Sequence, residues 1–388
     1  MNLLNSLRKE SAKAPVSGIE AVTNYGRERP GLIPLWYGEG DQVTPDFISQ
    51  AAVEALDDGE TFYTWQGGIP DLRTALARYH QRHFGRMFDS REFVVTIGGM
   101  HAIRLALEAT AGQSDELIYF TPAWPNINVA ASIGGISPIP VALTNESGRW
   151  VCDLDKLEAA ITPRTRVLFI NTPSNPTGWV ADRSTLHSIL NIARRHGLWI
   201  IADEIYSLFH YGEGRASSFY DVMEPDDRIL FVNTFSKNWS MTGWRVGWLA
   251  THPSLSRTFE NLIQYSSSGV AQFIQRGAVA ALEQGDDFVA AQVKHGLGAR
   301  ELVCRILSQT NRVNITVPEG AFYLFFSIDG VHDSQATAIE MANEAGVGLA
   351  PGSAFGAAGE GYFRLCFLRD HRKLEDAAQR LVRWIGSN

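Results

Sequence analysis

The chain has 388 residues, 45% hydrophobic and 20% charged, with a formal net charge of −8. That length allows two domains and a large core, and the balance excludes disorder and coiled coil. An acidic chain without clustered Lys and Arg also argues against a nucleic-acid partner. Three scattered cysteines, Cys152, Cys304 and Cys366, give neither a disulfide framework nor a metal site. Residues 1–10 lack the apolar core of a signal peptide, and no apolar run reaches the roughly 18 residues needed to cross a bilayer. The expectation is a cytoplasmic protein with no membrane partner.

Taken in order, the first forty residues carry Pro15, Pro30 and Pro34 and read as an arm that becomes a strand at 32–37. Thr44 with Pro45 behind it suggests a helix start, and Phe47, Ile48, Ala51, Ala52 and Leu56 recur at helical spacing. From residue 93 strands and helices alternate. Strands are expected at 93–97, 117–120, 136–143, 167–170, 198–202 and 228–232, with helices at 100–109, after Pro125 and at 184–195. Near-continuous apolar strands in such alternation predict a mostly parallel, doubly wound α/β sheet buried on both faces. A long helical pattern at 286–307 then leads to strands at 321–328 and 362–368 and helices at 334–345 and the C-terminus, a smaller α+β unit.

The chemistry-bearing residues fall at the expected C-terminal ends of strands, where open α/β sheets place ligands. Lys237 follows the run 228–232, and low dielectric together with the nearby Arg245 favours its free amine. Arg245 suits a phosphate, with the hydroxyls of Thr234 and Ser236 as further donors. Gly98-Gly99-Met100, between a strand and a helix, offers backbone N–H groups to an anion; His101 beside them reads as structural. The 171–178 loop, with Pro173, Pro176 and Gly178, holds the Asn175 amide in one orientation. Asp203 closes an apolar strand, where a carboxylate is costly unless paired or capping a helix. Arg364 alternates with Phe363 and Leu365, and its guanidinium needs either a planar anion or an internal salt bridge. No G-x-G-x-x-G motif is present to support a nicotinamide-binding reading.

The segment 233–247, with Lys237 and Arg245 eight residues apart, resembles the cofactor-lysine segment of fold type I pyridoxal-phosphate (PLP) aminotransferases, the aspartate aminotransferase family of class I and II. The resemblance extends over nearly the whole chain. It implies PLP bound to Lys237, with Asp203 at the ring nitrogen, Asn175 and Tyr206 at the phenolic oxygen and Trp124 stacked on the ring face. Gly99, Met100, Thr234, Ser236 and Arg245 would surround the phosphate, joined by Tyr63 from a second subunit of a homodimer with shared sites. Gly38, Asn175 and Arg364 would receive the substrate's α-carboxylate. The implied reaction moves the α-amino group of an L-amino acid to a 2-oxo acid such as 2-oxoglutarate by a ping-pong cycle, with Lys237, Asp203 and Tyr206 as the catalytic residues. A C–S β-lyase, a decarboxylase or cyclising lyase on the same scaffold, and a non-catalytic ligand-binding module, are the alternatives. Residues 1–40 are expected as an arm and part of a small domain, 41–288 as the large PLP-binding domain, and 289–388 as the small C-terminal domain. Trp36, Tyr37, Trp65 and Trp124 are placed near the presumed mouth.

Overall fold

In a computed structural model, which describes residues 3–387, seven strands build the central sheet. They are β1 (Phe93–Thr96), β2 (Glu116–Thr121), β3 (Ser137–Ala142), β4 (Thr165–Asn171), β5 (Trp199–Asp203), β6 (Ile229–Thr234) and β7 (Gly247–Ala250), in the spatial order β1-β7-β6-β5-β4-β2-β3. Every neighbouring pair is parallel except those that involve β7, which runs antiparallel between β1 and β6. The fold is therefore α/β with a large mixed, mostly parallel sheet.

Side chains leave a strand alternately to its two faces. Val94, Leu117, Val167, Ile201, Leu230 and Leu249 pack with residues of the helices Gly98–Thr110 and Ser256–Ser266. Val95, Ile118, Leu168, Ile200, Phe231 and Trp248 enter the larger core with residues of the helices Pro70–Phe84 and Arg183–His196. Both faces are covered, which is why the strands read as unbroken apolar runs. Local signals define the helix ends. Asp182 accepts from the Thr185 N–H at 2.7 Å to cap the helix Arg183–His196, and Gly197 ends it in the left-handed region at φ +67°.

Beyond the long helix Asp286–Leu307, four strands form an antiparallel sheet: β8 (Val313–Ile315), β9 (Tyr323–Ile328), β10 (Ala350–Pro351) and β11 (Tyr362–Cys366), ordered β8-β9-β11-β10. The C-terminal helix His371–Ser387 packs on the long helix. The N-terminal arm joins this region, because Ile33–Pro34 pairs in parallel with Val347–Gly348 and the Leu35 carbonyl accepts from the Cys366 N–H at 2.9 Å.

Several local expectations are corrected. The arm holds a helix, Gly18–Gly26, and the strand expected at 32–37 shrinks to two residues. Thr44 does not cap the next helix, Asp46–Asp57. Its hydroxyl donates to the Ser240 carbonyl at 2.7 Å and accepts from the Trp244 indole at 3.0 Å, and Leu56 is exposed. The helix expected at 334–345 is α-helical only over Ser334–Glu340 and continues as a π turn to Ala345.

Candidate active site

The C-terminal ends of β4, β5 and β6 open into one cavity of about 560 Å³. Thr234 ends β6, and its hydroxyl accepts from the Ser236 N–H at 3.2 Å, starting the short helix Phe235–Asn238 that carries Lys237. The Lys237 ammonium, on the cavity wall, donates to the Gly38 carbonyl at 2.6 Å. Burial lowers its pKa to about 8; Arg364 and Arg245 add to the lowering, against opposing pulls from Cys366 and Glu39. A Lys poised there releases its proton near neutral pH and becomes a usable base or nucleophile.

Asp203 ends β5, is 2% exposed and caps no helix. Its carboxylate receives a single hydrogen bond among the described residues, from the Ile205 N–H at 3.5 Å. Burial raises its pKa to about 7, with Ile205 and the Lys237 charge pulling the other way. A buried acid this poorly partnered, facing a cavity, suits a cationic or N–H donor group of a ligand. Glu204 beside it is also raised to about 7 by burial, but it faces the core, where it accepts from the Ser218 hydroxyl at 2.6 Å and the Phe219 N–H at 3.0 Å.

Arg364 comes from β11 and is 2% exposed. It donates to the Asn175 amide oxygen at 2.9 Å and to the Trp36 carbonyl, while its Nε has no hydrogen-bond partner among the described residues. The internal salt bridge left open by the sequence is not formed among the described residues. Flanking residues Phe363 and Leu365 are buried on the other face of the strand, and Arg364 reaches the wall of the cavity. The 171–178 loop is fastened by the Asn175 N–H donating to the Asn171 side-chain oxygen at 2.9 Å.

A cradle for an anion closes the other end. Arg245 sits in the left-handed region at φ +54° and donates to the Thr242 carbonyl at 2.8 Å. Its guanidinium fills the space that a Cβ on Gly98 would need, and Gly98 itself has φ +71°. Gly99, Met100 and Ser236 complete this end of the lining. The Thr234 hydroxyl also donates, toward the Val246 carbonyl at 3.1 Å or the Ser236 hydroxyl at 2.9 Å. His101 is structural: its Nδ1 accepts from the Ile97 N–H at 3.1 Å and its other nitrogen lies 3.0 Å from the Ser266 hydroxyl.

The structure thus brings Gly38, Gly99, Met100, Trp124, Asn175, Asp203, Tyr206, Thr234, Ser236, Lys237, Arg245 and Arg364 to one cavity. Tyr63 is not brought there; it is 95% exposed on the surface of the chain. Of the aromatics placed near the mouth, Tyr37 and Trp124 line the cavity, whereas Trp36 is core and Trp65 lies outside the lining. Sequence reasoning missed Ile19, Glu20 and Arg27 of the N-terminal arm, and Tyr323 at the start of β9. Those residues carry no local motif, and only the tertiary fold brings them in.

Residues 34–381 match the family described as aminotransferase class I and II, and the chain belongs to that family. It is a PLP-dependent transaminase of fold type I. It is 34% identical to aromatic-amino-acid aminotransferase 2 of Thermococcus litoralis over 94% of both chains. It is 32% identical to an aspartate aminotransferase of Pyrococcus horikoshii over 94% of this chain and 93% of that one. Among solved structures, the aspartate aminotransferase of Thermotoga maritima superposes with a TM-score of 0.91 at 30% identity, covering 98% of this chain and all of that one (100%).

Proposed function

We propose that the enzyme transfers the α-amino group of an L-amino acid to a 2-oxo acid, with 2-oxoglutarate as acceptor, in a ping-pong cycle with PLP at this cavity. The observation that carries the reading is the presence of an amine with lowered pKa, Lys237, and a buried acid held by one long hydrogen bond, Asp203, in one cavity walled by Arg364. The residues fit the cofactor. Asp203 would hold its ring nitrogen, Asn175 and Tyr206 its phenolic oxygen and Trp124 its ring face. Gly99, Met100, Thr234, Ser236 and Arg245 would hold its phosphate, Lys237 its aldehyde carbon, and Tyr63 of a second chain would complete the set. Bound there, PLP supplies the electron sink that stabilises negative charge at the substrate's Cα.

The chain's own residues do the rest. Arg364 and the Gly38 backbone seat the α-carboxylate, which fixes the Cα bonds relative to Lys237. Lys237, uncharged above about pH 8, takes the Cα proton. Because one seat serves donor and acceptor, the first product leaves before the second substrate enters. Ile19 and Tyr37 of the arm leave room for an apolar donor side chain, and beside them the wall carries Glu20 and Arg27, which donates to the Tyr37 hydroxyl at 3.0 Å.

The homodimer belongs to the same reading. It is supported by the exposed aromatics Phe62, Tyr63 and Tyr265; the loop of the first two meets the helix that carries the third where Gln66 donates to Gln264 at 2.7 Å. The division into 1–40, 41–288 and 289–388, supported by the two separate sheets, and a cytoplasmic setting, supported by the free cysteines, are part of the proposal too. The deciding experiment is the absorption spectrum of purified protein with PLP, before and after single L-amino acids and then 2-oxoglutarate. Conversion of the cofactor band by an amino acid and its return on adding the oxo acid supports transamination. Release of pyruvate and ammonia from a cysteine conjugate without acceptor would replace the proposal by a lyase.

A further inference from the structure

Tyr323 is fully buried and lines the cavity, yet no step above uses it. Three contacts converge on its side chain. Its hydroxyl lies 2.7 Å from that of Tyr206. Its ring lies under the Arg364 guanidinium, 4.7 Å from carbon to centroid, with Phe355 at 4.9 Å also against the same cation. Its hydroxyl also occupies the space that a Cβ at position 38 would need, beside the residue whose carbonyl receives Lys237. Tyr323 opens β9, paired to the strand of Arg364, whereas Tyr206 follows β5 of the large sheet.

We propose that Tyr323 is a positioning residue that couples the phenol of Tyr206 to the carboxylate-binding Arg364, its hydroxyl serving the first and its ring the second. The inference rests on the cofactor reading above. A phenol carries one proton, so Tyr206 can donate into the cavity only if its oxygen accepts from Tyr323. A hydroxyl that accepts becomes a stronger donor, so Tyr323 strengthens whatever bond Tyr206 makes to an anionic oxygen of the ligand. Burial raises the pKa of both phenols, which keeps both protons in place at neutral pH. The ring acts separately: a guanidinium in contact with two aromatic rings keeps its place when the carboxylate arrives.

The two roles separate by substitution in the PLP-loaded enzyme, read by the pH titration of the cofactor's absorption band and by KM for the amino donor. Tyr323→Phe keeps the ring and removes one oxygen. Its titration midpoint rises by roughly half a pH unit, kcat falls, and KM stays within about twofold. Tyr323→Leu shows the same rise and a KM raised about fivefold or more, the order expected for loss of a cation–ring contact. In a Tyr206→Phe background, adding Tyr323→Phe gives no further rise, because the coupling is gone. An unchanged midpoint in Tyr323→Phe, or an equal shift in both backgrounds, overturns the proposal. Tyr323→Phe decides the matter even where Tyr323→Leu does not fold. Wild-type protein with no cofactor band would sink the cofactor reading and this inference with it; a normal wild-type band with an unshifted Tyr323→Phe sinks this inference alone.

Discussion

Lys237 and Asp203 face the same cavity, and burial pushes each toward its uncharged form, the amine down to about 8 and the acid up to about 7. Replacing Lys237 by Ala is expected to lower turnover by at least about 10³-fold, since it removes both the attachment point and the base; multiple turnovers at the wild-type rate would refute the role. Asp203 gives a pH signature in the cofactor-free protein. Its folded value lies above the ordinary 3.8, so the folded state keeps a proton that the unfolded chain has released. The stability contributed is full below about pH 4 and is lost as pH rises through 7. Asp203→Asn should remove that decline from the melting temperature; a decline of the same size in both proteins would rule out Asp203 as its source. Arg364→Lys loses the planar fork, and KM for the amino donor should rise about 10–100-fold, the worth of a charged hydrogen bond. Steady-state kinetics checks it.

In the large sheet the elements deliver Lys237 and Asp203 by one repeated device, a strand that ends and a turn that directs the next side chains toward the cavity, whereas Arg364 comes from within β11. The turn after β1 is tight, with Gly98 at φ +71° against the Arg245 guanidinium. Gly98→Ala should cost roughly 1–3 kcal/mol of stability and weaken PLP binding, because the added carbon is strained and displaces Arg245. Unfolding curves and cofactor titration would show it; a variant unchanged in both would mean that the turn tolerates a side chain. Most elements were legible because both faces of the sheet are covered, which leaves apolar runs such as Ile229–Val232 intact in the sequence. The antiparallel β7 was not, since a strand of four residues, Gly247–Ala250, gives no usable period. The arm helix Gly18–Gly26 was hidden between prolines, and Thr44 looked like a cap because its partners, Ser240 and Trp244, lie about 200 residues away in sequence.

At the scale of the whole molecule, the surface predicts its own partner. With Tyr63 95% exposed beside other bare aromatics, the chain is expected to sediment as a dimer, and Tyr63→Ala to weaken PLP binding about tenfold without changing the monomer fold. A monomer with full activity would exclude the shared site. The sequence by itself determined the α/β class and singled out cavity residues at or just past strand ends, among them Lys237, Asp203 and Asn175. An apolar strand followed by a polar residue is a local pattern, readable from neighbours in the chain. Only the tertiary structure decided what joins them. It left Arg364 with Asn175 and the Trp36 carbonyl instead of an acid, set Tyr323 against Tyr206, and brought the arm's Ile19 and Arg27 over the cavity. Those contacts link residues more than 100 positions apart, and their distances follow from how the two sheets pack and not from any local pattern.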